Sequence, residues 1–308
     1  MNSRADPDLR VKIGRLTLKS PVIVASGTFG FGEEFEDFFD LNVLGAIIPK
    51  GISLRPMAGN PPPRIFETEG GILNSIGLQN PGFQSFLEHR YPFYQHLKTP
   101  LIINIFGNSP GEYVELARRF DELPGISGLE INISCPNVEK GGMVFGGDPR
   151  LAHSLVRKVR KATKLTLLVK LSPNVTDIAS IAKRVEEAGA DAVSLINTFR
   201  AMGVNIHSRK PELGNVIGGL SGPAIKPIAL RMVWETYQRV KIPVVGMGGI
   251  MSAEDAIEFM LVGASAVQIG TANLVHPQTA REVVDGIRQY LVRNKIGRVR
   301  KLTGLFRS

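Results

Sequence analysis

The chain holds one cysteine, Cys135, in the stretch EINISCPN (130–137), where an apolar run ends and a proline follows. A thiol titrates near pH 8.5 in reference peptides, so a modest shift makes it a base at working pH. A lone cysteine also serves as a small buried hydrophobe. The end of an apolar run, with Pro136 restricting the residue before it, favours the chemical reading. Lys50 and Lys170 close the runs AIIP and LLV. Lysine is almost never fully buried unless paired, and no acid closes another run to neutralise them. An anionic or electron-rich ligand would; the alternative is that each stem snorkels to water. Asn104, Asn132 and Asn197 each follow an isoleucine at the end of a run. One such Asn is ordinarily a turn residue, but three on separate runs ask for more than turn chemistry. GMGGI (246–250) and QIGTAN (268–273) supply glycines whose backbone N–H groups can approach an oxyanion, or simply make tight turns. NSIGLQNPG (74–82) offers Asn74, Ser75, Gly77 and Asn80, groups suited to a small, flat, polar molecule or to a turn-rich loop.

The elements that must position these residues are legible as a pattern. Apolar, β-branched runs lie at 21–26, 43–50, 101–107, 129–134, 166–172, 191–197, 242–248 and 265–270. Helical patterns lie between most of them. In 148–163, Leu151, Leu155, Val156 and Val159 share one face. The stretch 174–190 runs to Gly189, a helix stop, and 252–264 opens on Ser252 with Asp255 three residues on, a capping signature. EEFEDFFD (33–40) is a short helix candidate. Short, nearly continuous apolar strands alternating with helices imply parallel pairing with both faces covered. Eight such units predict an α/β fold, a closed (β/α)8 TIM barrel in one domain over 1–308, with an open doubly wound sheet as the structural rival. Residues 10–19 predict an N-terminal β-hairpin, and the long connections 51–100 and 198–241 predict inserted structure at the C-terminal face. Sites of such barrels lie at the C-terminal strand ends, where Ser26, Lys50, Asn104, Asn132, Cys135, Lys170, Asn197, Gly248, Gly249, Gly270 and Thr271 fall.

Composition narrows the classes. The chain is 43% hydrophobic and 21% charged, an ordinary globular balance. At this length a core buries roughly three quarters of the unfolded surface. One cysteine forms no internal disulfide, and no Cys/His cluster has metal spacing; the cytoplasm is expected. No secretory signal and no run of about 18 apolar residues is present, so no membrane association is expected. The net charge of +9 is read as a solvated surface or as an attraction for anions.

Taken together, NSIGLQNPG, INISCPN, VKLSPN, INT, GGLSGPAIKP, GMGGI and IGTAN resemble, in family order and over nearly the whole chain, the dihydroorotate dehydrogenases of pyrimidine synthesis. The cysteine of SCPN, where the membrane-associated class carries serine, resembles the soluble class 1. NSIGLQNPG resembles subclass 1B, which works with a separate electron-transfer subunit. The resemblance implies a barrel holding FMN across its mouth. It implies flavin contacts at Ser26, Lys50, Gly51, Asn104, Asn132, Lys170, Ile196, Gly222, Gly248, Gly249, Gly270 and Thr271. It implies substrate contacts at Lys50, Asn74, Ser75, Ile76, Gly77, Leu78, Asn132, Asn197 and Thr198, and Cys135 as catalytic base. Dihydroorotate becomes orotate by losing the C6 hydride to FMN and the C5 proton to Cys135. The glycine-rich loop 138–147 is expected to close over the substrate. FAD and a 2Fe–2S cluster are expected on a partner subunit that passes electrons to NAD, in a heterotetramer built on a homodimer, with no nucleic-acid partner. The basic C-terminus, RNKIGRVRKLTGLFRS, departs from the family pattern and is read as a solvated tail.

Other readings stay open on sequence alone. A fumarate-reducing subclass 1A enzyme shares most of these motifs. A non-redox isomerase or synthase on a phosphorylated substrate would use the same glycine loops without flavin. A binding or scaffold barrel would use its basic tail on an acidic partner.

Overall fold

The structure, a computed structural model, describes residues 6–134 and 145–307. Cys135 and most of the 138–147 loop lie outside the described residues. Eight parallel strands close into a barrel in chain order: β1 (Val22–Val24), β2 (Ala46–Ile47), β3 (Leu101–Ile105), β4 (Ile126–Asn132), β5 (Thr166–Lys170), β6 (Ala192–Leu195), β7 (Val244–Met247) and β8 (Ala266–Ile269). Closure is made by β8 on β1, with Val267 opposite Val22 and Ile269 opposite Val24. Every residue of β3 and β5 is buried, as expected for strands covered on both faces. The open-sheet rival is excluded by this closure.

The strands are shorter than the apolar runs, because several runs continue into the site loops. Helices follow the predicted order with shifted starts. Pro149–Ala162 begins at Asp148, whose carboxylate accepts from the backbone N–H of Arg150 (2.7 Å) and Leu151 (3.2 Å). Ile178–Glu187 starts later than the pattern at 174, because Asp177, not Asn174, caps it by accepting from Ser180 N–H at 2.9 Å. Ala253–Leu261 carries the predicted capping box of Ser252 and Asp255. The stretch 33–40 forms only one 3-10 turn, Glu33–Phe35; so few residues cannot offset the cost of nucleating an α-helix.

The N-terminal hairpin pairs Val11–Ile13 with Leu16–Leu18. Its turn at Gly14 packs on Thr166 and Asp191, at the N-terminal ends of β5 and β6, so the hairpin covers the bottom of the barrel. The C-terminal segment corrects the expectation of a solvated tail. Asp8 N–H donates to Gly297 O (3.0 Å) and Val299 N–H to Asp8 O (2.9 Å). Val299 and Leu302 are buried, while Arg298 before them and Arg300 and Lys301 between them face outward. Among the described residues no helix is long and apolar enough to cross a membrane.

The two long connections meet. They form one antiparallel sheet in the order Phe199–Ala201, Gly218–Ser221, Gly71–Asn74, Ile65–Thr68. Asn74 stands opposite Gly219, and Gly219 opposite Arg200.

Candidate active site at the barrel mouth

The site grows out of the inward positions of the strands. Asn104, in β3, is 1% exposed and donates from Nδ2 to Oε2 of Glu130 at 2.7 Å. Glu130, in β4, is fully buried, and its Oε1 accepts from Ser194 Oγ (2.7 Å) and Gln268 Nε2 (2.8 Å). Four strands thus meet on one carboxylate. The side-chain oxygen Oδ1 of Asn104 has no partner among the described residues, and neither has Oε1 of Gln268. Asn104 Oδ1 faces Gly51, where an added Cβ would lie 2.6 Å from it. Any side chain at position 51 would fill the space in front of that oxygen.

Lys170 ends β5 between Asn132 and Ser194, its register partners on either side. It is 6% exposed, and among the described residues its ammonium makes no hydrogen bond or ion pair. Asn132 accepts at Oδ1 from Ser134 N–H (3.2 Å) and, at 3.5 Å, from Asn197 Nδ2. Tyr113 Oη holds the same strand end by donating to Asn132 O at 2.8 Å. Asn197 turns its own Oδ1 onto Thr198 N–H (2.8 Å). Ile196 is buried beneath, its N–H donating to Met247 O.

Lys50 is half-buried, three residues beyond β2, with its N–H on Gly30 O at 2.8 Å. Burial pushes its ammonium below the ordinary lysine range, and the nearby Arg64 guanidinium pushes it further. Among the described residues Arg64 bonds only neutral oxygens, those of Ala58, Asn60 and Gln79. Two cations therefore share a partly desolvated place without a carboxylate, which suits an anion.

The 74–78 loop leaves the added sheet directly. Asn74 Nδ2 donates to Gly219 O at 3.2 Å, and a Cβ on Gly219 would collide with Thr198 Oγ1. Ser75 is buried and accepts from Asn60 Nδ2 at 2.8 Å. Gly77 packs on the Asn60 backbone, and Ile76 is half-buried between them. Leu78 is held at φ 57, a conformation that costs a non-glycine residue energy and clusters at ligand sites. Asn80 proves structural: its Oδ1 accepts from Ser53 N–H and Gly82 N–H, and its Nδ2 donates to Ser53 Oγ and Leu78 O.

On the opposite side the glycine loops converge. Gly249 has φ 76, and a Cβ on it would lie 2.8 Å from Gly222 O and 2.9 Å from Lys226 N. Gly248 lies over Ile196, and Gly270 meets only Ala25, leaving open space beside Ser26. Thr271 Oγ1 donates to Ser221 Oγ at 2.8 Å. Lys226 is anchored away from this cradle by Asp255 and Glu258.

All the predicted site residues among those described thus lie at or just beyond the C-terminal strand ends, in the added sheet or in the loops that leave it. Sequence reading misses Glu130, Ser194, Gln268 and Arg64. The signal for Glu130 is present: it stands two residues before Asn132, hence on the same strand face.

A closed (β/α)8 barrel with inward amides, two lysines that pair with no carboxylate among the described residues and converging glycine loops at its mouth is a barrel enzyme for a flat, anionic ligand. The family model for dihydroorotate dehydrogenase matches residues 8–291. The chain is 56% identical over 297 residues to a protein of Desulforamulus reducens called dihydroorotate dehydrogenase B (NAD(+)), catalytic subunit, covering 96% of this chain and 98% of that one. A protein of Geotalea uraniireducens with the same name is 55% identical over 298 residues, covering 97% of this chain and 98% of that one. The crystal structure of DHODH from Eimeria tenella in complex with ferulenol superposes with a TM-score of 0.79 at 26% identity, covering 99% of this chain and 90% of that one. The chain belongs to the dihydroorotate dehydrogenase family.

Proposed function

We propose that this chain is a barrel domain that oxidises (S)-dihydroorotate to orotate with FMN at its mouth, and that a separate subunit carrying a 2Fe–2S cluster and FAD takes the electrons to NAD. One observation carries the reading. The sheet joining the two long connections brings Asn74 and its loop against Gly219 and Thr198, beside strand ends bearing Asn132 and Asn197.

The residues present fit a flavin. Asn104 Oδ1 is a buried acceptor without a partner, and oxidised FMN offers it an imide N–H or ribityl hydroxyls. Gly51 sets its bare Cα against that oxygen with no room for a Cβ, Gly222 and Gly249 pack too closely for side chains, and Gly270 borders open space; with Gly248 and Thr271 they would line the flavin. FMN, when bound, supplies the acceptor for the hydride leaving C6. Ser26, Lys50, Gly51, Asn104, Asn132, Lys170 and Ile196 would hold it. Lys170 places its ammonium where negative charge develops. Lys50, Asn132, Asn197, Thr198 and the loop Asn74 to Leu78 bind and orient dihydroorotate; the lowered affinity of Lys50 for its proton is reversed by the substrate carboxylate. Cys135, outside the described residues, takes the C5 proton on Sγ.

The test is an absorbance scan of the purified protein followed by anaerobic addition of dihydroorotate. Flavin bands near 370 and 450 nm (approximate values general to flavins) are expected, and bleaching on adding substrate. A colourless protein that takes up no FMN, or one that dihydroorotate does not bleach, rejects the reading.

A further inference from the structure

Glu130 is a fully buried carboxylate whose partners among the described residues are all neutral: Asn104, Ser194 and Gln268, from three other strands. Asn104 and Gln268 turn their NH2 groups toward it, and their carbonyl oxygens away. Both of those oxygens, Asn104 Oδ1 and Gln268 Oε1, are buried and have no partner among the described residues. A buried acceptor left unpaired costs free energy that only a donor can recover. Asn104 Oδ1 lies against Gly51, where an added Cβ would come within 2.6 Å of it. We infer that Glu130 is the positioning residue of the flavin pocket: by fixing the orientation of the Asn104 amide, it presents an acceptor to the bound flavin. This rests on the FMN reading above.

The wiring makes a reversible prediction. In Glu130→Gln, Oε1 still accepts from Ser194 and Gln268. The new NH2 stands where Oε2 stood and faces Asn104. Asn104 then turns over to accept from it, which presents an NH2 to the ligand in place of an oxygen. Every hydrogen bond is kept, so the fold is kept; only the group facing the flavin changes. Adding Asn104→Asp restores an acceptor there, with its other oxygen satisfied by the new amide. Ser194→Ala removes one donor but leaves the Asn104 orientation unchanged.

The experiment strips flavin from the four proteins and measures FMN affinity by fluorescence quenching, with circular dichroism and thermal melting of each apoprotein. Glu130→Gln should bind FMN about ten- to a hundredfold more weakly, the effect of a mispaired buried group, with its melting curve little changed. The double variant should regain most of that loss, and Ser194→Ala should bind nearly as the wild type. Wild-type affinity in Glu130→Gln overturns the inference, as does a double variant no better than the single one, or an equal loss in Ser194→Ala. Should Glu130→Gln fail to fold, the double variant decides: retained FMN binding supports the role and lost binding ends it. A wild-type chain that binds no FMN defeats the underlying reading, and the inference with it, a result distinct from all of these.

Discussion

A lysine ammonium that has lost part of its water and faces a guanidinium holds its proton less tightly, and Lys50 is in that position beside Arg64. Its pKa in the folded chain lies below its unfolded value. Between the two the unfolded chain binds more protons, so the free protein gains stability as pH rises through this window. An anion at Lys50 acts in the opposite sense and raises the pKa. Orotate binding should therefore take up protons at alkaline pH, and affinity should fall as pH rises there. Calorimetry in two buffers of different ionisation enthalpy reads this uptake. Lys50→Met should abolish it and weaken orotate about ten- to a hundredfold, the usual worth of a hydrogen bond to a charged group; uptake that persists in Lys50→Met would remove Lys50 from the anion site. Cys135 makes the second prediction at this scale. Cys135→Ala should keep FMN while anaerobic flavin reduction by dihydroorotate slows about 10²-fold or more. Cys135→Ser should recover partly as pH rises, because an alcohol is a far weaker acid. An alanine variant reduced at the wild-type rate would end the assignment as base. The strand-end residues were readable because a polar side chain closing an apolar run stands out. Glu130 offered only its place two residues before Asn132; its partners, 26, 64 and 138 residues away, could not be paired from local sequence.

Barrel strands and their helices follow from periodicity and caps, both properties of adjacent residues, and the predicted order is the observed one. The added sheet does not follow in the same way. Asn74 and Gly219 are 145 residues apart, and the strand Ile65–Thr68 alternates between exposed and half-buried positions with little apolar contrast. The C-terminal segment misleads for a related reason: its charged residues flank Val299 and Leu302, which carry the packing. The added sheet makes its own prediction through Gly71, whose position would set a Cβ 1.9 Å from Ser221 O. Gly71→Ala must push the two inner strands apart. Overpacking of this kind costs about 1–3 kcal/mol. Since Asn74 ends one of these strands, KM for dihydroorotate should rise several-fold while FMN stays bound. Thermal melting with steady-state kinetics checks both, and an unchanged KM alongside a lowered melting temperature would separate the sheet from substrate binding.

At the scale of the whole molecule the question is where the electrons go after the flavin is reduced. A 2Fe–2S cluster needs about four cysteine or histidine ligands in defined spacing, and this chain has one cysteine. No glycine fingerprint for a dinucleotide opens a helix after an early strand. The relatives named as catalytic subunits of an NAD(+) enzyme carry the same division of labour in their names. On the reading proposed above, a second polypeptide holds the cluster, the FAD and the NAD site, and electrons cross an interface close to the FMN. The net charge of +9 speeds encounter with an acidic partner and makes the encounter sensitive to salt. The chain alone should therefore oxidise dihydroorotate with artificial dyes and leave NAD unreduced. Adding the partner should confer NAD reduction, at a rate that falls with ionic strength, and the two should co-purify as a heterotetramer on a dimer of this chain. Fast turnover of the lone chain with fumarate would identify the homodimeric, fumarate-reducing subclass instead. NAD reduction by the lone chain would contradict the partner outright, because it would require a nicotinamide site within these 308 residues.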